Sequence, residues 1–498
     1  MTTEADAETG NVAPPLLAEP AEKPSLFGRI GRLFKHMPDG ELVTPTSVPV
    51  NLDTTVRIDW DGQPFELTLG KVALQFHPDL PITGDEADGT LEWIVHAGGG
   101  FYTDVPRFMR IGPGDSVLLG RTDEVQENIF GLNGSVADRH VRISNHKGEL
   151  TIQPLDLDRR TALCTIDDLT AVWAARRENL LRLPEVLGRP LTPFDDDEAL
   201  DIIRDVNGIF AKEVYRELDD EGVPGGIIQF PDDMTVVLLG DIHARADNIL
   251  RIITEGGLLA ALERGEACLV FLGDLIHSQE AGELEDMDSS IFILDLFSML
   301  KLRFPENVFY IHGNHESFSP DVGKGGVPQG ILFRKLLKKR RGKDYVAEIE
   351  TLFAGLAFVV QGNGFAACHG APVRSRVNRN TLVNIQRYPG IQYELVWNRL
   401  RQGNRPAGYG KGSVKRFRKT LDLPKHAPLV VGHTPLSSEE TVWLNVGDIV
   451  GHHVVYSAHP HRVAAMVMSG GQMTPLEFIP EPALALLNKG ANTEDQAE

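Results

Sequence analysis

The alternation of apolar and polar positions divides the chain into a β-rich first part and an α/β second part. Between residues 42 and 165, short alternating segments predict strands, and VRIDWDGQPFELTL predicts a hairpin around its Asp-Gly turn. A helical period replaces this alternation at about Leu169. From Met234 onward, apolar strands such as TVVLLG and CLVFLG alternate with helices, which is typical of an α/β sheet covered on its faces.

These changes of pattern divide the 498 residues into five segments. Residues 1–41 are predicted to be a disordered tail that contains one short basic amphipathic helix, and residues 42–168 a β-rich domain. A helical linker, 169–196, leads to the large α/β domain, 197–482. The last segment, 483–498, is polar at its end and is predicted to be a second disordered tail.

The stretch SLFGRIGRLFKHM, residues 25–37, places apolar side chains at helical spacing with Arg29, Arg32 and Lys35 between them. One interpretation is a helix that packs on its own protein. The other is a helix that docks on a partner protein or on an anionic membrane surface.

The composition argues against several classes of protein. A formal net charge of −21 disfavours binding to nucleic acid, because the phosphates would be repelled. The three cysteines, Cys164, Cys268 and Cys368, form no CxxC pair, which argues against a zinc ribbon and is typical of a reducing compartment. No run of about 18 apolar residues occurs, and the first residues lack the pattern of a secretory signal. We therefore expect a soluble, cytoplasmic protein.

Five apolar strands of the second part end on side chains that bind metals. Each side chain alone is an ordinary turn residue or strand-end cap, but the repeated arrangement predicts one site, because such strand ends gather at one edge of a sheet. Two aspartates, one asparagine and three histidines suit two divalent cations, with Mn favoured and Fe or Zn as alternatives, about 3.5–4 Å apart around a shared carboxylate. Such a pair activates a water and binds phosphate oxygens, which predicts phosphoester hydrolysis. The predicted ligands are Asp241, His243, Asp274, Asn314, His369 and His433.

The segments GDIHAR, GDLIHS, GNHES, CHGAP and VVGHT resemble the successive signatures of the phosphoprotein phosphatases, the metal-dependent serine/threonine phosphatases within the calcineurin-like metallophosphoesterases. The resemblance covers about residues 200–482. It implies an α/β (α+β) metallophosphoesterase fold, a central β-sandwich flanked by helices with the site at its rim. It also implies that Asp241 and His243 hold the first metal and that Asp274 bridges both. The second metal would be completed by Asn314, His369 and His433.

The same resemblance implies catalytic roles. His315, next to Asn314, would protonate the leaving alkoxide, which is a poor leaving group without a proton. Arg405 lies at about the place of a phosphate-binding arginine. The family reads GDxxDRG where this chain reads GDLIHSQ, so His277 and Ser278 replace an Asp-Arg pair, and a hydroxyl cannot replace a guanidinium fork.

Three functions follow from this departure. The first is a phosphatase that acts on phosphoserine or phosphothreonine of proteins, in which His277 binds phosphate or steadies His315, and Arg374 or Arg405 carries more of the substrate charge. The second is a nucleotide phosphohydrolase of the dinucleoside tetraphosphate type, whose relatives have a GDLVARG-like segment. The third is a domain that binds metal without turnover and serves as a phospho-signalling adaptor.

In the first part, SVLLGRT followed by SVADRHVRI resembles a forkhead-associated domain, a β-sandwich that binds phosphothreonine, over about residues 100–168. Arg121 matches the arginine of this motif, whereas Ala137 replaces its serine and Asp138 adds a charge that repels phosphate. The resemblance implies a phosphopeptide ligand, and the alternative is an all-β sandwich used only for packing. We interpret His140 as a buried structural residue.

Overall fold

The structure, a computed structural model, describes residues 40–487 except for 60–63, 79–90, 98–107, 122–129, 131, 133, 166–169, 256, 281, 371, 402–407, 439, 479 and 481. The helix predicted at 25–37 and the predicted catalytic residue Arg405 therefore lie outside the described residues. Within this described part of the chain, no helix is both long and apolar enough to cross a membrane.

The strands of the first part form two sheets that pack face to face. They are β1 (Glu41–Val43), β2 (Val50–Asn51), β3 (Val56–Ile58), β4 (Phe65–Leu69), β5 (Val72–Pro78), β6 (Trp93–Ala97), β7 (Phe108–Ile111), β8 (Ser116–Leu119), β9 (Val141–His146), β10 (Glu149–Pro154) and β11 (Thr161–Thr165). The sheet orders are β1-β3-β10-β9-β8 and β2-β11-β4-β5-β6-β7. Alternate residues such as Phe65, Leu67 and Ile152 are buried in one core between the sheets, as in a β-sandwich. The strands before residue 100 belong to this same sandwich.

The hairpin predicted around Asp61 and Gly62 is wrong. β3 pairs with β1 and β10, whereas β4 pairs with β11 and β5, so the chain passes from one sheet to the other between them. A two-residue hairpin turn lies instead between β9 and β10, where Lys147 and Gly148 have φ values of 54° and 95°. An Asp-Gly pair favours a turn locally, but it does not determine which sheet the next strand joins.

The strands of the second part form two mixed sheets that also pack face to face. They are β12 (Arg216–Leu218), β13 (Pro224–Gln229), β14 (Thr235–Leu239), β15 (Ala267–Phe271), β16 (Val308–Tyr310), β17 (Val359–Gly362), β18 (Phe365–Cys368), β19 (Leu429–Val431), β20 (Val442–Trp443), β21 (His452–Val455), β22 (Val463–Ser469) and β23 (Gln472–Phe478). The orders are β12-β13-β17-β18-β19-β21-β20 and β16-β15-β14-β22-β23. Val270 and Met466 of the second sheet share one buried cluster with Val430 of the first.

Helices cover both outer faces of this central sandwich. They are α1 (Thr170–Leu187), α2 (Asp196–Phe210), α3 (Ala246–Ile253), α4 (Leu258–Glu263), α5 (Asp288–Arg303), α6 (Gln329–Gly355), α7 (Arg379–Val383), α8 (Pro389–Trp397) and α9 (Lys411–Thr420), with 3-10 turns at Ile385–Arg387 and Val446–Asp448. Helices α1–α6 pack on the five-stranded sheet and α7–α9 on the seven-stranded sheet. The predicted central β-sandwich flanked by helices is thus confirmed.

The polar tail begins later than the sequence indicates. Residues 483–487, which fall in the predicted tail 483–498, are helical. Ala483 is buried, and the backbone N–H of Leu484 donates to Asp247 Oδ1 at 2.9 Å. Because the apolar side chains of this turn pack on the core beneath α3, the turn belongs to the folded domain.

Three arginines and Glu255 form a buried ionic cluster where the two parts of the chain meet. Arg110 of β7 approaches Glu255 Oε1 at 3.0 Å, Arg176 of α1 approaches Oε2 at 3.4 Å, and Arg251 of α3 also contacts Oε2. None of these side chains is more than 5% exposed. The guanidinium groups of Arg110 and Arg251 also lie 4.4 and 5.0 Å from the ring centre of Phe478. The cluster therefore ties the first sandwich and the linker helix to the large domain.

Asp115 faces the large domain across this junction. It lines a cavity of about 160 Å³ together with Arg462 and Glu477, and its Oδ2 accepts the N–H of Gly112 at 2.8 Å. Burial raises the pKa of Asp115 to about 6; the bond from Gly112 opposes this rise and the charge of Glu477 adds to it.

We expect Asp115→Asn to stabilise the protein by about 1 kcal/mol near pH 7.5 and to have little effect near pH 4.5. The folded carboxyl binds its proton more tightly than the unfolded one, so its stabilising contribution is present at low pH and lost as the pH rises through about 6. Denaturant unfolding of both proteins at the two pH values measures this difference. Exposed Asp158 provides the control variant Asp158→Asn. Equal differences at both pH values would contradict the prediction.

Candidate metal centre

Five strand ends bring the predicted ligands to one edge of the central sandwich. Strands β14, β15, β16, β18 and β19 are each followed within a few residues by one or two of them. Ligand atoms of His243, Asp274 and His315 lie within 4.8 Å of one another, and so do those of Asp274, His369 and His433. Asp274 belongs to both groups, which is the place of a carboxylate that bridges two cations.

Asp241 and Asn314 complete the two groups. Asp241 Oδ2 lies 3.7 Å from His243 Nε2. Asn314 Oδ1 lies 3.1 Å from His369 Nε2, which is also 3.1 Å from His433 Nδ1. The structure therefore brings together all six side chains that the sequence predicts as ligands.

The loops after the strands are sharply turned at the site. His243, Asp274, His277 and His433 have φ values of 47°, 50°, 68° and 65°. A residue other than glycine adopts this left-handed conformation at a cost of about 1–3 kcal/mol, and such residues cluster at functional sites. The turns direct these side chains back toward the sheet edge, and the surrounding hydrogen bonds offset the cost.

The backbone of the loops also fixes the two aspartates. The N–H of His433 donates to Asp241 Oδ1 at 2.7 Å, and the N–H of His315 donates to Asp274 Oδ1 at 2.8 Å. Each carboxylate is thus anchored through one oxygen by a neighbouring strand end. The other oxygen of each is directed toward the histidines of the site.

Glu316 joins the loops after β15 and β16, and its role is not evident from the sequence except as the fourth residue of GNHES. Its carboxylate accepts the backbone N–H groups of Gly313, Asp274 and Leu275 at 2.8, 2.9 and 3.1 Å. It also accepts the hydroxyl of Tyr310 at 2.6 Å. With its side chain almost completely buried, Glu316 fixes the backbone that carries the shared aspartate.

The two buried carboxylates, Asp241 and Asp274, repel each other and would be stabilised by a pair of cations. Burial, followed by the charges of Asp241 and Glu316, raises the pKa of Asp274 well above its ordinary value. Burial also disfavours ionisation of Asp241, but bonds and charges from His243 and His369 outweigh it and lower that pKa to about 2. Cations among these donors would neutralise both carboxylates, and imidazole with carboxylate suits Mn, Fe or Zn.

The orientation of His369 fits the same interpretation. Its Nδ1 donates to the carbonyl oxygen of Leu272 at 2.8 Å, which leaves Nε2 with a lone pair directed at Asn314 and His433. A histidine ligand typically donates its second ring N–H in this way, and the bond fixes the tautomer that can bind a metal.

His315 and His277 lie side by side at the centre. Their Nδ1 atoms are 3.0 Å apart and share a hydrogen bond, while His315 Nε2 lies 4.0 Å from Asp274 Oδ2. His277 is completely buried against the ring of Phe333, and its Nε2 has no hydrogen-bond partner within the described part of the chain. Burial lowers the pKa of His277 to about 3 and holds that of His315 well below its ordinary value.

Within the described residues, the structure does not bring a predicted phosphate-binding arginine to the predicted metal ligands. Arg405 lies outside the described residues, so its role stays a prediction. Arg374 lines a basic cavity of about 410 Å³ with Arg401, Lys411 and Arg416. None of the six predicted ligands, all of which are described, lines this cavity.

A larger cavity, of about 710 Å³, opens beside Asn314. One wall carries the stacked rings of Tyr393 and Trp397, whose centres are 6.1 Å apart, and Trp397 lies 6.1 Å from the ring of His433. Because the side chain of Tyr393 is exposed, this cavity leads from the surface to the side of the centre formed by Asn314 and His433. Its size suits part of a substrate.

In the first sandwich, the residues that resemble the forkhead-associated motif contact other residues of the same sandwich. His140 is completely buried; its Nδ1 accepts the N–H of Ala137 at 3.0 Å, and its Nε2 lies 3.1 Å from Thr161 Oγ1. Its structural role is thus as predicted, and burial lowers its pKa. Arg121 forms a 2.7 Å ion pair with Asp138 Oδ1, so the cation expected to meet a phosphate already has a carboxylate partner.

The helix-flanked double sheet has the architecture of the metallophosphoesterase fold. Residues 234–463 match the family model of the calcineurin-like phosphoesterases, and this part of the chain is a calcineurin-like metallophosphoesterase domain. A serine/threonine-protein phosphatase of Candida albicans, the PP2A-like PPG1, is 31% identical over 180 residues. The match covers 34% of this chain and 38% of that protein, so the chain spans well under half the length of this relative.

Two solved structures are also similar to this chain. One is a protein serine/threonine phosphatase of Saccharomyces cerevisiae with similarity to human phosphatase PP5; the TM-score is 0.43 at 16% identity, over 59% of this chain and 91% of that chain. The other is the cold-active protein-tyrosine phosphatase of a psychrophilic Shewanella; the TM-score is 0.33 at 15% identity, over 50% of this chain and 82% of that chain.

Proposed function

We propose that this protein is a metal-dependent phosphatase that hydrolyses phosphoesters, with phosphoserine and phosphothreonine of proteins as its main substrates. The observation that carries the proposal is the convergence of two groups of buried metal-binding side chains on the shared Asp274. The similarity to a PP2A-like serine/threonine-protein phosphatase supports the class of substrate.

Each half of the site would hold one cation. When bound, the pair supplies an activated water and neutralises the charge of the phosphoryl oxygens. Asp274 would contact both cations; Glu316 accepts its backbone N–H, and the N–H of His315 donates to its carboxylate. The first cation would be held by Asp241 and His243, and the second by Asn314, His369 and His433.

In this proposal, His315 gives a proton to the leaving oxygen. Its Nε2 lies near Asp274, at the edge where a phosphoryl group would meet the centre. Its Nδ1 is fixed by His277, because one of the two nitrogens must carry the shared proton and the other must accept it. His277 thus takes the place of an orienting carboxylate while contributing no charge.

Removal of His277 should lower kcat most for substrates with poor leaving groups. We expect His277→Ala to lower kcat about 10- to 100-fold on a phosphoserine peptide and much less on p-nitrophenyl phosphate, whose leaving group needs no proton. His277→Asp should restore the phosphoserine activity, because a carboxylate also accepts from Nδ1 and stabilises a protonated ring. The ratio of the two substrates' kcat values in each variant measures the effect. Equal losses on both substrates would contradict the orienting role.

The direct experiment on the proposed function uses the full chain with added Mn²⁺, Fe²⁺ or Zn²⁺ and a panel of phosphopeptides. We expect metal-dependent release of phosphate that chelation abolishes and that Asn314→Ala lowers strongly. Exposed Asp233 lies at the opposite end of β14 from the site, and Asp233→Asn serves as the control with unchanged rates. Turnover that survives both chelation and Asn314→Ala would overturn the proposal.

A nucleotide phosphohydrolase is the second candidate, and the stacked wall of Tyr393 and Trp397 favours it. Stacking of a base on such rings contributes about 1–3 kcal/mol. If dinucleoside tetraphosphates are the substrates, Tyr393→Ala raises their KM severalfold and leaves a phosphoserine peptide without aromatic residues unaffected. Faster turnover of the phosphopeptide than of the nucleotide rejects this candidate.

The adaptor alternative is tested by measuring whether the first sandwich binds phosphothreonine. Because Asp138 neutralises Arg121, we expect calorimetry with a phosphothreonine peptide to give a Kd weaker than about 0.1 mM. Asp138→Ser should tighten binding, and adding Arg121→Ala should reverse the gain. Tight binding by the unmodified chain, together with bound metal and no turnover, would support the adaptor instead.

A further inference from the structure

Arg245 lies at the edge of the metal centre, two residues after His243. Its side chain is 22% exposed. The ring of Tyr456 is 6.2 Å from that of His243. Burial lowers the pKa of Arg245, and the charges of Tyr456 and Glu283 oppose this. The backbone of Tyr456 pairs with that of Asp241 in an isolated bridge. Tyr456 thus adjoins the metal centre through both its ring and its backbone.

The guanidinium group of Arg245 contacts the carboxylate of Glu280 in the loop after β15. This loop is itself held in place. Ser278 Oγ donates to Glu283 at 2.8 Å and accepts the N–H of Glu280 at 3.3 Å, while Gln329 Nε2 donates to the carbonyl oxygen of Ser278 at 2.8 Å. A cation from another strand end thus reaches the same loop in which the sequence has Ser278 rather than an arginine.

We propose that Arg245 binds the phosphoryl group at the metal centre and that Glu280 occupies the same guanidinium in the free protein. The inference rests on the proposed phosphatase function. A planar guanidinium presents one fork that fits either a carboxylate or a phosphate, so the two anions compete for it. Glu280 therefore lowers the affinity of the site for phosphate, and a substrate must displace it.

The competition can be measured by titrating the Mn²⁺-loaded full-length protein with inorganic phosphate in a calorimeter. Arg245→Ala should raise the Kd about tenfold or more, the effect of losing a charge-assisted pair. Glu280→Gln should lower the Kd about two- to fivefold, because a partly exposed ion pair is worth about 1 kcal/mol or less. The double variant should have the Kd of Arg245→Ala alone, since Glu280 acts only through the arginine.

Two further variants make the result decisive. Arg245→Lys keeps the charge without the fork and should give an intermediate Kd; it also replaces Arg245→Ala if circular dichroism shows that the alanine variant does not fold. Arg264→Ala removes an arginine from an exposed pair with Glu266, which precedes β15 at the end away from the site, and should leave the Kd unchanged.

Either of two results overturns the inference: an unchanged Kd in the Arg245 variants, or a gain from Glu280→Gln that persists without Arg245. A wild-type protein that binds phosphate but hydrolyses no phosphoester would contradict the proposed function, and the variant titrations would still decide the role of Arg245. If the metal-loaded wild type binds no phosphate at all, the inference on Arg245 fails, and the hydrolysis assay decides the proposed function separately.

Discussion

Replacement of Asp274 with asparagine is expected to lower kcat/KM by about 10³-fold or more and to remove at least one of two bound Mn²⁺ ions. Asp274 is the side chain common to both groups of possible donors, so under the proposed function neither cation would keep its full set without it. The amide retains an oxygen for the N–H of His315 but has no negative charge to hold two cations. Metal content per chain and rates on a phosphopeptide measure the effect.

Loss of activity in this variant should not reflect unfolding. In the metal-free protein, Asp274 lies beside the charges of Asp241 and Glu316, and its removal relieves this repulsion. We therefore expect metal-free Asp274→Asn to unfold at a temperature no lower than the metal-free wild type. A variant that keeps two metals per chain and activity within about tenfold would show that Asp274 is not the bridging ligand.

Glu255→Gln should destabilise the protein by about 3–5 kcal/mol. Its carboxylate is the common partner of Arg110, Arg176 and Arg251 in a buried cluster, so three cations lose this counter-charge together. Because these arginines come from β7, α1 and α3, we also expect the first sandwich to separate from the large domain. Denaturant unfolding measures the loss of stability, and limited proteolysis of the linker measures the separation.

The matched control is Glu263→Gln, whose partner Arg182 lies at the surface at a distance of 3.2 Å. Exposed pairs of this kind contribute about 0–1 kcal/mol. A destabilisation by Glu255→Gln no larger than that of the control, with an unchanged proteolysis pattern, would show that the cluster does not hold the two parts together.

The convergence of the six predicted ligands could be predicted because the signal for each is local: an apolar strand that ends on a metal-binding side chain. Glu316 and the contact of Arg245 with Glu280 could not, because they depend on which loops from different strands meet. The mistaken hairpin at Asp61–Gly62 has the same origin, since a turn signal is local whereas strand pairing is not. The sequence also gives no sign of the Glu255 cluster, because its members are far apart along the chain.

The Glu255 cluster has a consequence for how separable the two halves are. A polypeptide that starts at α2 would keep Arg251, Glu255 and the ring of Phe478 but lose the strand and helix that cover them. Its new surface would expose the aromatic ring of Phe478 and the charges of Arg251 and Glu255, which are buried in the full chain. We therefore expect the phosphoesterase half alone to be less stable than the full chain, because the strand and helix that cover part of its interior are missing.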